Sequence, residues 1–380
     1  MRKKICFVVS SPLTVKAFLL NHFNVLKAEF DIYVVANFDN PADASFLSQI
    51  NDYHICAIKI NRSIKLISDL KALLALQKYF KRNKFDVVHS ITPKAGLLAM
   101  MAAYMAGVKN RVHIFTGQVW CNKRGVVRSL LIYLDKLIVK SSTHILVDGE
   151  SQRTFLINQH IINDSNSKVL GKGSISGVDT GRFVANPSTR KKMRDELSLK
   201  DDDIVFGFLG RINKDKGILD LAHAFKMLKG DYPNVKLLII GYDEENLVPQ
   251  VKRIIADDNS VTFYGPTPNP EMVLQALDVF CLPSYREGFG TSVIEASLLG
   301  LPVICSDAYG LMDTIIENKT GLRHGAGNIR SLNDQMRKLI QLPDLRKYLG
   351  ENGARFVTDN FTAENISGHW LKFYQQNFQN

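Results

Sequence analysis

Five cysteines in 380 residues, Cys6, Cys56, Cys121, Cys281 and Cys305, show no paired spacing, and four of them sit among apolar residues. An odd, scattered set argues against a disulfide framework or a zinc site. It fits a reducing cytoplasm, with the thiols as core filler and Cys121 the exception. Long apolar runs are missing too. The longest weakly polar stretch, Ala95 to Val108 between Lys94 and Lys109, falls short of the roughly 20 residues that a bilayer span needs, so it reads as a buried helix. The opening Met1-Arg-Lys-Lys-Ile-Cys-Phe-Val-Val-Ser10 has an apolar run of only Ile5 to Val9. That is too short for a secretion signal and suits a first buried strand. No Gly-x-Gly-x-x-Gly follows that strand, so a Rossmann dehydrogenase lacks support. No low-complexity tract, helix-turn-helix signal or aromatic-interleaved basic motif is present, so no nucleic-acid partner is expected.

What is present is an ordinary globular composition, 46% hydrophobic and 22% charged, at a length suited to two domains. Its charge is unevenly divided. Residues 1–180 carry 24 Lys and Arg against 12 Asp and Glu, whereas residues 181–380 carry 24 against 25. The whole positive excess lies in the first half and implies a polyanionic partner or surface there. Two segments could present it. Helical spacing from Ile64 to Arg82 puts Leu66, Leu70, Leu73 and Phe80 on one side and Lys71, Lys78 and Arg82 on another. From Arg124 to Lys140 it separates Val127, Leu130, Leu134 and Leu137 from Arg128, Lys136 and Lys140. Each is a basic amphipathic helix that either meets an anionic membrane or packs its apolar stripe on a sheet.

Short apolar runs ending in turn residues recur at Ile5–Val9, Ile32–Ala36, Val87–His89, Val112–Phe115, Ile145–Val147, Ile204–Leu209, Lys236–Ile240, Val261–Phe263, Val279–Leu282 and Val303–Cys305. Helical stretches lie between them. The alternation predicts α/β architecture with parallel sheets in two doubly wound halves. Gly171-Lys-Gly-Ser-Ile-Ser-Gly177 marks the boundary between them. The domains are therefore placed at 1–177 and 178–360, with 361–380 as a last helical segment.

Two glutamates eight positions apart, Glu287 and Glu295, stand out in Pro283-Ser-Tyr-Arg-Glu-Gly-Phe-Gly-Thr-Ser-Val-Ile-Glu295. The run follows a strand and enters a helix, so backbone N–H groups around Gly288, Gly290 and Thr291 are placed to meet a phosphate. Together with Ala296-Ser-Leu-Leu-Gly-Leu-Pro-Val-Ile304, Phe206-Gly-Phe-Leu-Gly-Arg211, Lys214-Asp-Lys216-Gly217 and Ile239-Ile-Gly241, it resembles the nucleotide-sugar site of retaining glycosyltransferases of family 4.

The resemblance implies the GT-B fold: two Rossmann-like domains facing an interdomain cleft, with a C-terminal helix around Ala363 to Gln376 that crosses back to the first domain. It also implies site roles. Arg211 and Lys216, after Gly210, would meet the leaving diphosphate. Glu287, with the Phe289 and Gly290 amides, would hold the donor sugar, and Glu295 would hold ribose. Gly241, Phe263 and Gly265 would border the nucleotide. In the first half, Asp86-Val-Val-His89-Ser-Ile-Thr-Pro-Lys94 and Arg111-Val-His113-Ile-Phe-Thr116-Gly117-Gln118 put polar groups at strand ends. These resemble transferases of bacterial O-antigen and capsule assembly, and make His89, Lys94, His113, Thr116, Gly117 and Gln118 acceptor-side or donor-sugar candidates.

Two departures stand out. Thr116 occupies a place where many members carry histidine, leaving His113, Thr116 and Gln118 as alternatives. Ser10-Ser11-Pro12-Leu13-Thr14 replaces paired glycines.

Asp201-Asp202-Asp203 precedes a strand, so it reads as a solvated turn and no metal or other cofactor is expected. The implied activity is metal-independent transfer, with retention, from a UDP-sugar to a glycan on an isoprenoid diphosphate, at the inner face of the cytoplasmic membrane. The family's common donors suggest an N-acetylhexosamine. A GT-B epimerase acting on a UDP-sugar is the alternative, ahead of a basic nucleic-acid-binding protein.

Overall fold

The computed structural model describes residues 2–39, 46–47, 50, 52–61, 64–256 and 258–378. The chain divides into two compact units, Met1–Ser176 with Ala363–Asn380, and Gly177–Thr362.

In the first unit, β1 (Lys3–Val8), β2 (Phe30–Ala36), β3 (His54–Ala57), β4 (Val87–Ile91), β5 (Asn110–Phe115), β6 (His144–Val147) and β7 (Ser167–Val169) form one sheet in the order β3-β2-β1-β4-β5-β6-β7. In the second, β8 (Ile204–Leu209), β9 (Val235–Ile240), β10 (Val261–Gly265), β11 (Val279–Leu282), β12 (Val303–Ser306) and β13 (Leu322–His324) run β10-β9-β8-β11-β12-β13. All pairings within both sheets are parallel. Central strands such as β4 and β11 are buried along their whole length, which is why they read as unbroken apolar runs. The order reverses between β1 and β4 and between β8 and β11. At such points the loops beyond the carboxyl ends diverge and leave room for a ligand.

The apolar pattern locates ten of these strands and misses β3, β7 and β13, all of them on sheet edges. Edge strands need less apolar sequence, and Ser167-Lys-Val169 and Leu322-Arg-His324 carry only enough to cover one face. Ala95 to Val108 is largely the helix Pro93–Met105, with seven buried residues. Of the five cysteines, all free, Cys6, Cys281 and Cys305 are buried, and Cys56 and Cys121 half-buried.

The two basic segments are helices, Leu66–Asn83 and Gly125–Ser141, both packed against Pro93–Met105. Their apolar stripes do not stay together. Phe80 and Leu76 are in the core, whereas Leu66 and Leu70, assigned to the same side as Phe80, are 81% and 57% exposed. Ile67 and Leu74 join them in solvent. On the second helix Val126, Val127, Leu130 and Tyr133 are exposed while Ile138 is buried. Burial in each helix is therefore concentrated towards its C-terminal half, where it meets Pro93–Met105 and the core.

The last helix, Ala363–Phe378, belongs to the first unit and places Trp370 at 1% exposure. Its indole is stacked between two imidazoles, with ring centroids 4.2 Å from His22 and 4.9 Å from His89. His22 bonds Ser367 Oγ at 2.9 Å and the Ile175 carbonyl at 2.6 Å, and His89 Nδ1 bonds the Tyr374 hydroxyl at 2.5 Å. Burial pushes His22 down to about 4 and His89 well below its usual range.

A histidine held neutral in the fold stabilises fully above its unfolded value and loses that contribution as pH falls towards the folded one. Exchanging His22 for glutamine should therefore destabilise the protein at neutral pH, and the gap from the parent should shrink by ~3 kcal/mol as pH is lowered to about 4. Urea titrations of both proteins across that range measure it. A gap that stays constant would mean His22 is not held neutral.

Candidate active site

The site of the second unit is assembled at the carboxyl edge of its sheet, where β8 and β11 diverge. Past β8, Asn213 is 4% exposed and its Oδ1 accepts the Lys216 amide at 3.1 Å, capping the short turn Lys214–Lys216. Gly217 ends the turn at φ 69°, and a Cβ there would lie 2.1 Å from the Pro283 carbonyl oxygen. Only glycine allows this turn to rest on the segment leaving β11.

That contact sets up the central pair: Lys216 Nζ lies 2.5 Å from Glu287 Oε1, with side chains 18% and 10% exposed. Ser284 Oγ donates to the same Oε1 at 2.7 Å, and the Ser284 carbonyl accepts from Ser306 Oγ at the end of β12. A charge pair this buried is strongly destabilised when one member is removed, because the other is left uncompensated. A second bridge between the same segments joins Arg286 Nη2 to Asp215 Oδ2 at 2.8 Å, and the Tyr285 amide donates to the Asp215 carbonyl at 2.8 Å.

Arg211 projects from the same edge and is half exposed, its Nη1 bonded to Glu244 Oε1 and Oε2 at 2.6 and 2.7 Å. The strand ends Gly210, Gly241 and Gly265 lie side by side: the Gly210 amide donates to the Ile240 carbonyl at 3.0 Å and the Gly241 amide to the Gly265 carbonyl at 2.9 Å. The register of β10 breaks between Phe263 and Gly265, and Phe263 is half-buried just before the break.

Beyond Glu287 and Gly288, Phe289 turns its ring into the core against Phe361, centroids 5.2 Å apart, leaving its backbone rather than its ring at the edge. Gly290, at φ 65°, begins the helix Thr291–Leu298. Glu295 is half-buried on that helix, and burial pushes its carboxyl up to about 7, opposed by Arg182 and reinforced by Glu271. Arg182 Nη2 is itself paired with Glu271 Oε2 at 2.7 Å.

The first-unit candidates are more dispersed. His89 and His113 lie in the core of that unit, both fully buried, and not on its edge. β4 and β5 are inner strands, so side chains borne within them meet helices, not solvent. His113 Nδ1 bonds Ser90 Oγ at 2.8 Å, and burial lowers it to about 3. Lys94 is ion-paired with Asp69 at 2.7 Å. Thr116 and Gly117 are half-buried beyond β5; Gln118 is 2% exposed, and its Nε2 and that of Gln152 each donate to the Thr116 carbonyl at 2.8 Å.

Asp201 and Asp202 are exposed, but Asp203 is 6% exposed and accepts the Lys200 amide at 2.8 Å, so one of the three is not solvated. Among the described residues no group of three or more His, Cys, Asp or Glu side chains is arranged to hold a metal.

Sequence reasoning did not single out Ser284, Ser306, Asn213, Asp215, Arg286 or Glu244. All but Asp215 are within four residues of a strand's carboxyl end, and that placement was the available signal.

Residues 189–356 match the model of Glycosyl transferases group 1, and residues 4–147 match Glycosyl transferase 4-like. Over 343 residues the chain is 31% identical to the capsular polysaccharide biosynthesis glycosyltransferase CapM of Staphylococcus aureus, covering 90% of this chain and 88% of that one. It is 28% identical over 320 residues to the UDP-Gal:alpha-D-GlcNAc-diphosphoundecaprenol alpha-1,3-galactosyltransferase of Escherichia coli, 81% of this chain and 80% of the relative. The crystal structure of Anabaena HepE in complex with UDP matches with a TM-score of 0.81 at 17% identity, over 99% of this chain and 100% of that one, a likeness of fold. With two parallel-sheet units on the GT-B plan and a relative this similar over nearly its whole length, the chain belongs to the group 1 glycosyltransferases.

Proposed function

We propose that the protein moves a hexosyl group, an N-acetylhexosamine on the family resemblance, from a UDP-sugar to a hydroxyl of an isoprenoid-diphosphate-linked glycan, with retention and without a metal, in surface-polysaccharide assembly. The observation that carries this reading is the Lys216–Glu287 pair at the divergence of β8 and β11, with Arg211 and Glu295 on the elements around it. The names of the similar proteins, one of capsule synthesis and one with a UDP-sugar donor and a lipid-diphosphate acceptor, support the choice of substrates.

In this mechanism Arg211 and Lys216 stabilise the diphosphate as the glycosidic bond to it breaks and its charge grows. A fixed ammonium and a guanidinium do so without reorganising at the moment of reaction. Glu287, held by Ser284, accepts from donor-sugar hydroxyls while restraining Lys216. Glu295 accepts from ribose.

Lys216→Ala should lower kcat by about 10²-fold or more, the usual effect of losing one preorganised charge-stabilising donor, and weaken UDP as well. Normal turnover in a variant shown to be folded at the assay temperature would remove Lys216 from the site. The two glutamates should separate. Glu287→Gln keeps an acceptor for Lys216 and Ser284, so UDP binding should be nearly intact while transfer falls; Glu295→Ala should weaken UDP itself. Calorimetry with free UDP decides between them, and equal losses would show that the roles are wrongly divided.

The first unit bears the membrane contact in this reading. Its exposed Leu66, Ile67, Leu70 and Leu74 lie on the helix that carries Lys71 and Lys78, and Val126, Val127 and Leu130 adjoin Lys123 and Arg124. Apolar side chains enter the headgroup region while each nearby Lys or Arg adds about 1 kcal/mol on an anionic leaflet. Co-sedimentation with vesicles should rise with anionic lipid and drop when Leu66, Ile67 and Leu70 become serine, or when Lys71, Lys78 and Arg82 do. Binding that ignores lipid charge and survives both triple variants would reject the contact.

A further inference from the structure

We propose that Glu244 is a positioning residue for sugar transfer: its carboxylate holds the Arg211 guanidinium in the orientation that receives the leaving diphosphate. The inference rests on the reading of Arg211 given above and extends it to a residue outside the signature motifs.

The geometry is built from the backbone outward. Gly241, just past β9, has φ 148°, and a Cβ there would fall 1.8 Å from the Gly210 carbonyl oxygen. Its absence lets the chains leaving β8 and β9 stay in contact beyond the sheet. There Ile212 pairs with Asp243 in an isolated parallel bridge, the Ile212 amide donating to the Tyr242 carbonyl at 2.8 Å and the Glu244 amide to the Ile212 carbonyl at 3.1 Å. This miniature ladder fixes the Glu244 backbone beside the loop that bears Arg211.

The side chain is fixed as well. Asn213 Nδ2 donates to Glu244 Oε2 at 2.7 Å, and Asn213 is buried, its Oδ1 engaged with the turn that carries Lys216. Glu244 is thus anchored from behind by a residue that cannot easily move, and in front it takes both hydrogen bonds from a single nitrogen, Arg211 Nη1. Arg211 Nε and Nη2 have no partner among the described residues and remain as donors for an incoming oxyanion. A guanidinium presents its donors in one rigid plane, so securing Nη1 orients the others.

Stability alone does not account for the arrangement. The Arg211 side chain is 50% exposed and that of Glu244 31%, and an ion pair this open contributes little to folding. Its effect is to reduce the number of positions a long side chain can occupy before substrate arrives. That lowers the entropic cost of binding a diphosphate.

The test is a double-mutant cycle on UDP affinity by calorimetry, with Arg211→Ala, Glu244→Ala and both together, and thermal midpoints as controls. Glu244→Ala should weaken UDP roughly tenfold, the scale at which a loosened positioning contact is felt. The double variant should bind no worse than Arg211→Ala within about twofold, because Glu244 acts through Arg211. Glu244→Gln, which keeps an acceptor for both partners, should recover most of the affinity.

Independent, multiplying losses would overturn the proposal, as would tighter UDP binding by Glu244→Ala, which would make Glu244 a competitor of the diphosphate. Weakened binding in Arg211→Ala with normal binding in Glu244→Ala would defeat the positioning role while leaving the diphosphate site in place. No loss in Arg211→Ala would remove Arg211 from that site and the positioning role with it.

Discussion

The close approach of the turn Lys214–Lys216 to the segment leaving β11 is the constraint on which the rest of the site depends. It brings an ammonium from one loop against a carboxylate from another, more than seventy residues on in sequence. The approach requires the missing Cβ at Gly217, the cap from Asn213, and the seating of Ser284 against Ser306. A hydrophobic contact could hold two loops together equally well, but it would leave no charge for a substrate to meet. The buried pair joins the loops and at the same time keeps two reactive groups in fixed positions, at the cost of desolvating both.

The two glutamates of this edge have different surroundings. Glu287 has an ammonium and a hydroxyl donating to one oxygen. Glu295 is half-buried, and Arg182, the cation near it, is itself engaged with Glu271; burial pushes the Glu295 carboxyl up to about 7. Two glutamates of one motif are therefore set in different environments by their neighbours, Glu287 against an ammonium and Glu295 on a helix beside a cation already paired with another carboxylate.

The parts of this architecture that were legible in the sequence were those with a local signature. Inner strands such as Val279–Leu282 must be apolar on both faces, and a helix entered from a glycine-bearing turn after such a strand can be read directly. The edge strands β3, β7 and β13 escaped because partial exposure relaxes that requirement. Glu287 and Lys216 could be named from the motif, but their contact could not, since it follows from the parallel pairing of β8 with β11 and the shape of two loops. The exposed Leu66 and Leu70 contradict the simple helical stripe for a similar reason. Helical periodicity shows which residues share a face, but not how much of that face a neighbouring helix covers.

The helix Ala363–Phe378 completes the first unit, although the whole of the second unit lies before it in the chain. The second unit is thus an insertion within the first, and the first remains open while the ribosome makes residues 177–362. Until Trp370 arrives, His22, His89 and Phe7 have no indole to close over them. The unit whose residues are synthesised first is therefore finished last, and a chain that ends before the last helix lacks the indole that closes its aromatic cluster.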